Sequence, residues 1–79
     1  MYYVYQLRSV EYPDQKYTGF TSDVSKRLEI HNSGQVPHTS KYKPWKLLNY
    51  FAFTEEQKAR RFETYLKSGS GRAFAKKHF

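Results

Sequence analysis

The sequence predicts an α+β domain in which a small antiparallel sheet is flanked by helices. Segments rich in aromatic and β-branched residues at 2–8, 16–20 and 45–53 are typical of strands. Segments with helical spacing follow the second and the third of these strands. The chain has 79 residues, which is enough for one domain over residues 1–79. The predicted order is therefore β-β-α-β-α-α.

The first two strands are predicted to form a hairpin. In the first strand, Tyr3 and Tyr5 share one face, and in the second Tyr17 and Gly19 do so. The dipeptide Pro13-Asp14 between them is a turn signal. A hairpin that is symmetric about residue 11 would place Tyr5 opposite Tyr17 and Tyr3 opposite Gly19. We therefore expect two phenols side by side, next to a glycine that leaves open space.

The first predicted helix carries ionisable side chains on its inward face. It begins after Ser22 or Asp23 and ends at Gly34, a residue type that is common at helix C-termini. At the helical spacing of about 100° per residue, one narrow arc holds four residues: Val24, Arg27, Leu28 and His31. A charge among core positions is costly unless it is paired or used. This helix is therefore predicted to form one wall of an active site.

The second predicted helix and the C-terminal segment follow the third strand. Thr54 with Gln57 predicts a capping box at the start of this helix. Glu63 lies within the apolar arc of the helix and is the second charge placed among core positions. Residues 68–71 are rich in glycine and serine and are predicted to end the helix. Residues 72–79 are predicted to form a short terminal turn or helix.

The charge distribution indicates a polyanionic partner. The net charge is +7, and in residues 57–79 Glu63 is the only acidic residue among seven basic ones. Residues 35–44 form a polar, basic segment that is predicted to be a loop able to follow a phosphate backbone. The alternative is a basic surface that only confers solubility. Six basic residues are the candidate phosphate contacts: Lys16, Lys41, Lys43, Arg60, Lys67 and Arg72.

The composition also excludes several kinds of chemistry. The chain has no cysteine, which excludes disulfides, thiolate metal sites and thiol catalysis. No stretch approaches the roughly 20 apolar residues that a membrane span requires, and the N-terminus lacks the pattern of a secretion signal. We therefore expect a soluble cytoplasmic protein that does not contact a membrane.

Five residues are candidates for one shared site: Tyr5, Tyr17, Arg27, His31 and Glu63. Each alone has an ordinary explanation, such as cross-strand packing of the tyrosines, a hydrogen-bonded core histidine, or a buried Arg27–Glu63 ion pair. Together they offer a base, positive charge and a carboxylate that could hold a metal, which phosphodiester hydrolysis requires. A phenol normally titrates at about 10, so it acts as a base only where cations stabilise the phenolate.

With these residues in place, the chain resembles the GIY-YIG nuclease superfamily. Its two signature triplets match Tyr3-Val4-Tyr5 and Tyr17-Thr18-Gly19, and its later signature residues match Arg27, His31 and Glu63. The resemblance covers the whole chain. It is closest to small bacterial members and to the N-terminal domain of the excinuclease incision subunit, on three further segments: His31-Asn32-Ser33-Gly34, Lys43-Pro44-Trp45 and residues 65–72.

The resemblance implies a three-stranded antiparallel sheet between helices and single-metal cleavage of DNA. It makes Tyr5 and Tyr17 the candidates for the general base, or for orienting water and phosphate, and it leaves the choice between them open. It implies that Arg27 stabilises the pentavalent phosphorus and that His31 assists proton transfer or contacts the leaving group. Glu63 would hold Mg²⁺ or Mn²⁺. The two structural glycines would be Gly19 and Gly34.

Larger members of the superfamily gain specificity from appended DNA-binding domains, and none is visible in this sequence. We therefore expect a structure-directed endonuclease of DNA repair or recombination, with a protein partner or self-association supplying specificity. Two alternatives stay open at this point. One is a nucleic-acid-binding module that retains the fold with little or no catalysis, and the other is a small RNA-binding protein whose tyrosines stack on bases.

Overall fold

Three antiparallel strands form a sheet in which the first strand of the sequence lies between the other two. They are β1 (Tyr2–Ser9), β2 (Lys16–Thr21) and β3 (Trp45–Phe53). Four helices accompany them: α1 (Val24–Ser33), α2 (Pro37–Ser40), α3 (Glu56–Lys67) and α4 (Gly69–His78). The computed structural model describes residues 1–78, so the last residue of the predicted terminal segment lies outside the described part. The predicted α+β class and the three-stranded antiparallel sheet are confirmed.

The sheet separates two apolar clusters, and the central strand β1 contributes to both because its side chains alternate between the faces. Val4 packs with Ala59 and Leu66 on the side of α3. Tyr5 and Leu7 pack with Trp45 on the side of α1. The two faces of the sheet are therefore covered by different helices.

The register of the β1–β2 hairpin differs from the predicted one by two residues. Tyr5 lies opposite Gly19, and Leu7 lies opposite Tyr17. The turn is centred on Pro13-Asp14, where Gln15 N donates to Tyr12 O at 2.8 Å, so the hairpin folds back later than the assumed residue 11. A shift of two residues keeps every side chain on its face, and Tyr5 and Tyr17 therefore still share one face.

The space at Gly19 is not open, contrary to the sequence-based expectation. A Cβ on this residue would overlap the phenol of Tyr5. The glycine therefore makes room for the ring of Tyr5, which is 1% exposed.

The predicted ends of α1 are confirmed. Asp23 is the N-cap, and its side chain accepts a hydrogen bond from Lys26 N at 3.0 Å. Gly34 ends the helix with a φ of +82°, in the left-handed region that glycine adopts without strain.

The predicted capping box of the next long helix is wrong. The N-cap of α3 is Glu55 rather than Thr54, and its side chain makes no capping hydrogen bond. Its carboxylate instead pairs with Lys58 at 2.8 Å. The helix α3 therefore begins without a side-chain cap.

Two helical segments lie where the sequence predicted none. The first is α2, within the basic segment predicted to be a loop, with Pro37 at its first position, where a missing N–H costs nothing. The second is the start of α4, which begins at Gly69 rather than at residue 72. At Gly71 a Cβ would overlap the carbonyl oxygen of Tyr65, so this glycine allows α4 to pack tightly against the end of α3.

Candidate active site

A buried hydrogen-bonded row lies at the centre of the candidate site and joins β1, α1 and α2. The hydroxyl of Tyr5 lies 2.9 Å from His31 Nε2, and His31 Nδ1 lies 2.9 Å from Thr39 Oγ1. All three side chains are almost completely inaccessible to solvent. The one-turn spacing on α1 explains why His31 points inward beneath Arg27, as the helical arc predicts.

The hydrogen bonds of this row have one consistent direction. Thr39 Oγ1 donates to Val36 O at 3.4 Å, which leaves the hydroxyl oxygen as the acceptor for His31 Nδ1–H. His31 Nε2 is then the acceptor for the hydroxyl of Tyr5. This tautomer is assigned from the hydrogen-bond network. Tyr5 is therefore held as a neutral phenol that donates to a neutral imidazole.

The electrostatics of the row agree with this assignment. Burial raises the pKa of Tyr5 to about 12, and hydrogen bonding to Arg27 opposes that shift without cancelling it. Burial also lowers the pKa of His31, and the charge of Arg27 adds to this effect. Both groups are neutral near pH 7, and Arg27 supplies positive charge beside them.

Tyr17 lies at the boundary between this row and solvent. Its ring centroid is 4.8 Å from that of His31 and 6.2 Å from that of Tyr5. Unlike Tyr5, it is only partly buried, and it lines a groove of about 570 Å³. The two tyrosines of the site therefore differ in access to water, although both lie on the same face of the sheet.

Glu63 is the candidate residue that α3 contributes. Its side chain is 19% exposed, and its Oε2 atom lies 3.0 Å from Lys67 Nζ. Its negative charge is the smallest of the causes that act on the pKa of Tyr5, after burial and the effects of Arg27 and Tyr17. The alternative of a buried Arg27–Glu63 ion pair is wrong, because the ion pairs among residues 1–78 join residues of α3 and its N-cap to one another.

The donor set fits a metal that keeps most of its water. Within the described part of the chain, no group of three or more His, Cys, Asp or Glu side chains could hold an ion. Glu63 therefore offers a single hard oxygen donor. Mg²⁺ is bound in this way in many phosphoryl-transfer sites, with one or two carboxylates, waters and substrate phosphate as ligands.

The six predicted phosphate contacts separate into two groups. Lys16, Lys67 and Arg72 line the groove beside Tyr17. The other three lie elsewhere: Lys41 over the ring of Tyr42, Lys43 beside Gly34, and Arg60 on the carboxylate of Glu56 and the ring of Phe20. Among these six residues, those that line the groove thus come from β2, α3 and α4 rather than from the basic segment before β3.

Sequence reasoning missed two neighbours of the site, both on α2. Thr39 accepts from His31, and its carbonyl oxygen accepts from Trp45 Nε1 at 2.9 Å. The ring of His38 lies 6.3 Å from that of Tyr17 and borders the same groove. The signal available in the sequence was Pro37, which favours the first turn of a helix and would have placed both residues on one.

The position of α2 is also fixed from the strand side. The side-chain amide of Asn32 donates to Trp45 O at 3.0 Å, and its carbonyl oxygen accepts from Trp45 N. Asn32 therefore ties the end of α1 to the start of β3. Thr39 is held between these two elements.

Comparison with known proteins gives one family over nearly the whole chain. The GIY-YIG catalytic domain family matches residues 1–77. The chain is 41% identical over 58 residues to the UPF0213 protein SAG0778 of Streptococcus agalactiae, a match that covers 72% of this chain and 66% of the relative. The matched part thus spans just under two thirds of that relative's length.

Two further relatives are more fully covered. The UPF0213 protein SpyM3_1077 of Streptococcus pyogenes is 35% identical over 72 residues, which covers 90% of this chain and 76% of the relative. The solution NMR structure of the UPF0213 protein BH0048 from Bacillus halodurans is similar with a TM-score of 0.57 and 33% identity. That match covers 96% of this chain and 81% of the other.

Proposed function

Because the chain belongs to the GIY-YIG family of nuclease catalytic domains, we propose that it is a divalent-metal-dependent endonuclease that hydrolyses phosphodiester bonds in DNA. The observation that carries the proposal is the unequal pair of tyrosines beside Arg27. Tyr5 is buried and hydrogen-bonded to His31, whereas Tyr17 is partly exposed and lines a groove to which basic side chains also contribute. This arrangement offers one phenol that can hold Arg27 in position and one that can contact water and phosphate.

We assign the role of general base, or of orienting the attacking water, to Tyr17. Its partial exposure lets it reach water, which the buried phenol of Tyr5 cannot do. The water oxygen forms the new bond to phosphorus as its proton passes to the base. The bond from phosphorus to the leaving oxygen then breaks, and that oxygen takes a proton from solvent, to which the base returns the proton it accepted. The products are a phosphate monoester and a hydroxyl.

Tyr5 and His31 are positioning residues in this proposal. The imidazole accepts from the Tyr5 hydroxyl and fixes the phenol, whose oxygen then faces the guanidinium of Arg27. Arg27 would meet the charge that develops on the phosphate oxygens. His31 is completely buried, so we assign it no contact with the leaving group.

Glu63 would hold the metal ion, Mg²⁺ or Mn²⁺. When bound, such an ion supplies Lewis-acid stabilisation of the phosphate. With one protein carboxylate available, its remaining ligands would be waters and the substrate. We expect weak metal binding in the absence of DNA, because Lys67 pairs with the same carboxylate.

The substrate is proposed to be DNA recognised by structure rather than by sequence, as in repair or recombination. The basic residues around the groove suit phosphates, which position a protein without reading bases. No helix in the described part of the chain is long and apolar enough to cross a membrane.

The test is cleavage of labelled linear, nicked, flapped and branched DNA with Mg²⁺, Mn²⁺ or EDTA. We expect metal-dependent cutting of at least one substrate, reduced at least about 100-fold in Glu63→Ala and in Arg27→Ala. The matched controls are Glu29→Ala and Arg61→Ala, which remove exposed charges from the helices α1 and α3. Circular dichroism checks that all four variants fold.

A second candidate function is a DNA-binding module without catalysis. It is favoured by the ion pair between Glu63 and Lys67, which occupies the carboxylate that a metal would need. In that case the wild type binds the DNA panel but cuts none of it with either metal. Glu63→Ala would then leave binding unchanged.

A further inference from the structure

Three basic side chains form a row across the sheet, on the face away from the buried part of the candidate site. Arg8 of β1 lies directly opposite Lys16 of β2 and directly opposite Lys46 of β3. Cross-strand partners share a face, and the alternation along β1 places Arg8 on the face of Val4, which packs against α3. Tyr5 lies on the other face.

We propose that this cationic row binds the phosphate backbone of a DNA duplex, as a contact surface outside the candidate site. The proposal rests on the proposed function only in taking DNA as the polyanion. It assigns a role to Arg8 and Lys46, which are not among the six candidate phosphate contacts.

The charges of the row are not neutralised within the described part of the chain. No carboxylate among residues 1–78 forms an ion pair with Arg8, Lys16 or Lys46. Glu11 and Asp14, in the turn that joins β1 and β2, are exposed and form no such pair either. Like charges directly opposite one another in a sheet are destabilising. An anion that binds from outside would remove this repulsion.

Protection of the sheet edges explains only part of the row. Lysine on an edge strand discourages pairing with another chain, and both lysines of the row lie on edge strands. Arg8 lies on the central strand, which has no free edge, and it is partly buried. Its guanidinium can donate two parallel hydrogen bonds to a phosphate, whereas an ammonium acts as a point charge. Arg8 is therefore the residue that points to an anionic partner.

The width of the row fits one strand of a duplex. Neighbouring strands of a sheet lie about 4.8 Å apart, so a row across three strands spans about 10 Å. Each strand of DNA carries one phosphate per about 3.4 Å of helix axis. A duplex whose axis follows the row would therefore bring roughly three phosphates to the three basic side chains.

The next cross-strand pair on the same face adds hydrogen-bond donors. Gln6 lies opposite Thr18, and Gln6 Nε2 donates to Thr18 Oγ1 at 3.4 Å. This bond uses one of the two N–H groups of the amide. Amide and hydroxyl side chains commonly donate to phosphate oxygens, so this pair could extend the contact with the backbone.

The helix α4 contributes positive charge on the same side of the sheet. Ala75 packs against the apolar cluster of Val4. Arg72 and Lys76, on either side of it in the sequence, line a groove together with Lys16. Neither takes part in an ion pair among residues 1–78. A backbone bound on the cationic row would therefore also lie close to basic side chains of α4.

The composition of this half of the face favours a duplex over a single strand. Single strands are bound by stacking their bases on aromatic rings. The aromatic residues on this face of the sheet instead pack against the apolar cluster on the side of α3: Tyr2, Phe20, Phe51 and Phe53. Around the cationic row the sheet presents basic, amide and hydroxyl groups, which suit phosphates and read no bases.

The experiment measures binding of a labelled, fully paired DNA duplex in EDTA, by fluorescence anisotropy, at salt concentrations from about 50 to 200 mM. Lys46→Ala should reduce the slope of log K against log salt by about 0.9. The triple variant Arg8→Gln, Lys16→Ala, Lys46→Ala should reduce it by about 2.7 and weaken binding at least about tenfold. Lys46 is exposed on an edge strand, so Lys46→Ala alone tests the row if the triple variant does not fold.

A matched triple variant removes the same number of positive charges outside the row: Lys58→Ala, Arg60→Ala, Lys77→Ala. Lys58 and Arg60 pair with glutamates at the start of α3, and Lys77 is exposed outside the groove. The slope of this control should therefore stay within about 0.9 of the wild-type slope. Circular dichroism spectra establish that each variant is folded.

Three results would overturn the proposal. The first is a wild-type slope in folded Lys46→Ala and in the folded triple variant of the row. The second is an equal loss of slope in the control triple variant, because net charge alone would then account for binding. The third is tighter binding of single-stranded DNA or of an RNA duplex than of the DNA duplex. Since EDTA prevents metal-dependent cutting, these results are independent of whether the protein cleaves DNA, which the substrate panel tests.

Discussion

The hydroxyl of Tyr5 and the imidazole of His31 form a hydrogen bond of 2.9 Å in a part of the protein that solvent does not reach. One partner lies on the central strand and the other on α1, 26 residues later. The bond therefore fastens a helix to the sheet at the candidate site. Its removal should change the stability of the whole domain and not only the chemistry.

Tyr5→Phe should lower the free energy of unfolding by about 1–3 kcal/mol, because it leaves the buried His31 Nε2 without its partner. The measurement is urea unfolding followed by circular dichroism. Tyr12→Phe is the control, since Tyr12 is 51% exposed. That change should stay within about 0.5 kcal/mol. Equal effects in the two variants would contradict the buried bond.

Tyr17→Phe should reduce catalysis and leave the stability of the domain nearly unchanged, whereas Tyr5→Phe lowers the stability. Tyr17 is partly exposed and lines the groove, so the loss of its hydroxyl should reduce DNA cleavage at least about 100-fold while the free energy of unfolding changes by less than about 1 kcal/mol. The measurements are single-turnover cleavage and urea unfolding of the same preparation. Cleavage by Tyr17→Phe at the wild-type rate would exclude Tyr17 as the base.

Stability should depend on pH at both ends of the range. Because the pKa of His31 is lowered in the folded state, the unfolded chain takes up a proton first as the pH falls below about 6.5, and stability is lost there. Because the pKa of Tyr5 is raised to about 12, the unfolded chain loses its phenolic proton first above pH ~10, and stability is lost there also.

The free energy of unfolding is therefore expected to be constant between about pH 6.5 and pH 10 and to fall on either side. The check is urea unfolding from pH 5 to pH 11. His31→Gln should flatten the acid side, and Tyr5→Phe should flatten the alkaline side. A wild-type profile that rises below pH 6 would show that His31 is protonated in the folded state.

Glycine-to-alanine substitutions at two positions should have opposite outcomes. Gly19→Ala should lower the free energy of unfolding by about 1–3 kcal/mol or more, because its Cβ would overlap the phenol of Tyr5. Gly69→Ala meets no atom within 4 Å and lies in α4, so stability should stay the same or rise by up to about 1 kcal/mol. Thermal unfolding of both variants is the test.

The salt dependence of DNA binding should identify which basic side chains contact phosphates. For duplex DNA, Arg72→Ala should reduce the slope of log K against log salt by about 0.9. Arg60→Ala should leave the slope unchanged, because Arg60 already pairs with Glu56 at 2.9 Å. Titrations between 50 and 200 mM salt are sufficient, because over that range the affinity of a protein with many phosphate contacts falls about a thousandfold or more. Equal changes of slope in the two variants would indicate that phosphate contacts are spread over the whole basic surface.

The parts of the fold that sequence predicts are those set by periodicity and by local chemistry. The alternation in β1 places Tyr5 on the face of α1, and the helical arc places Arg27 and His31 toward it. Asp23 and Gly34 mark the ends of α1 because capping depends on only a few residues. These predictions need no knowledge of distant contacts.

The parts that sequence does not predict depend on where the chain turns and on what it meets there. The hairpin register follows from the position of the turn at Pro13-Asp14. Alternation of side chains does not determine this position, because a shift of two residues leaves every side chain on the same face. The helix α2 has only four residues, so periodicity gives no signal for it. His38 and Thr39 were missed for that reason, although both border the site.

The side chain of Asn32 has a consequence for association between molecules. It bonds both the N–H and the C=O of Trp45, the first residue of the edge strand β3. At that residue the strand offers no free backbone groups to a strand from another chain. Asn32→Ala would leave both groups without this partner, at the residue whose indole donates to Thr39 O. One amide thus closes the first position of the β3 edge to a second strand, at the residue that also bonds the helix behind His31.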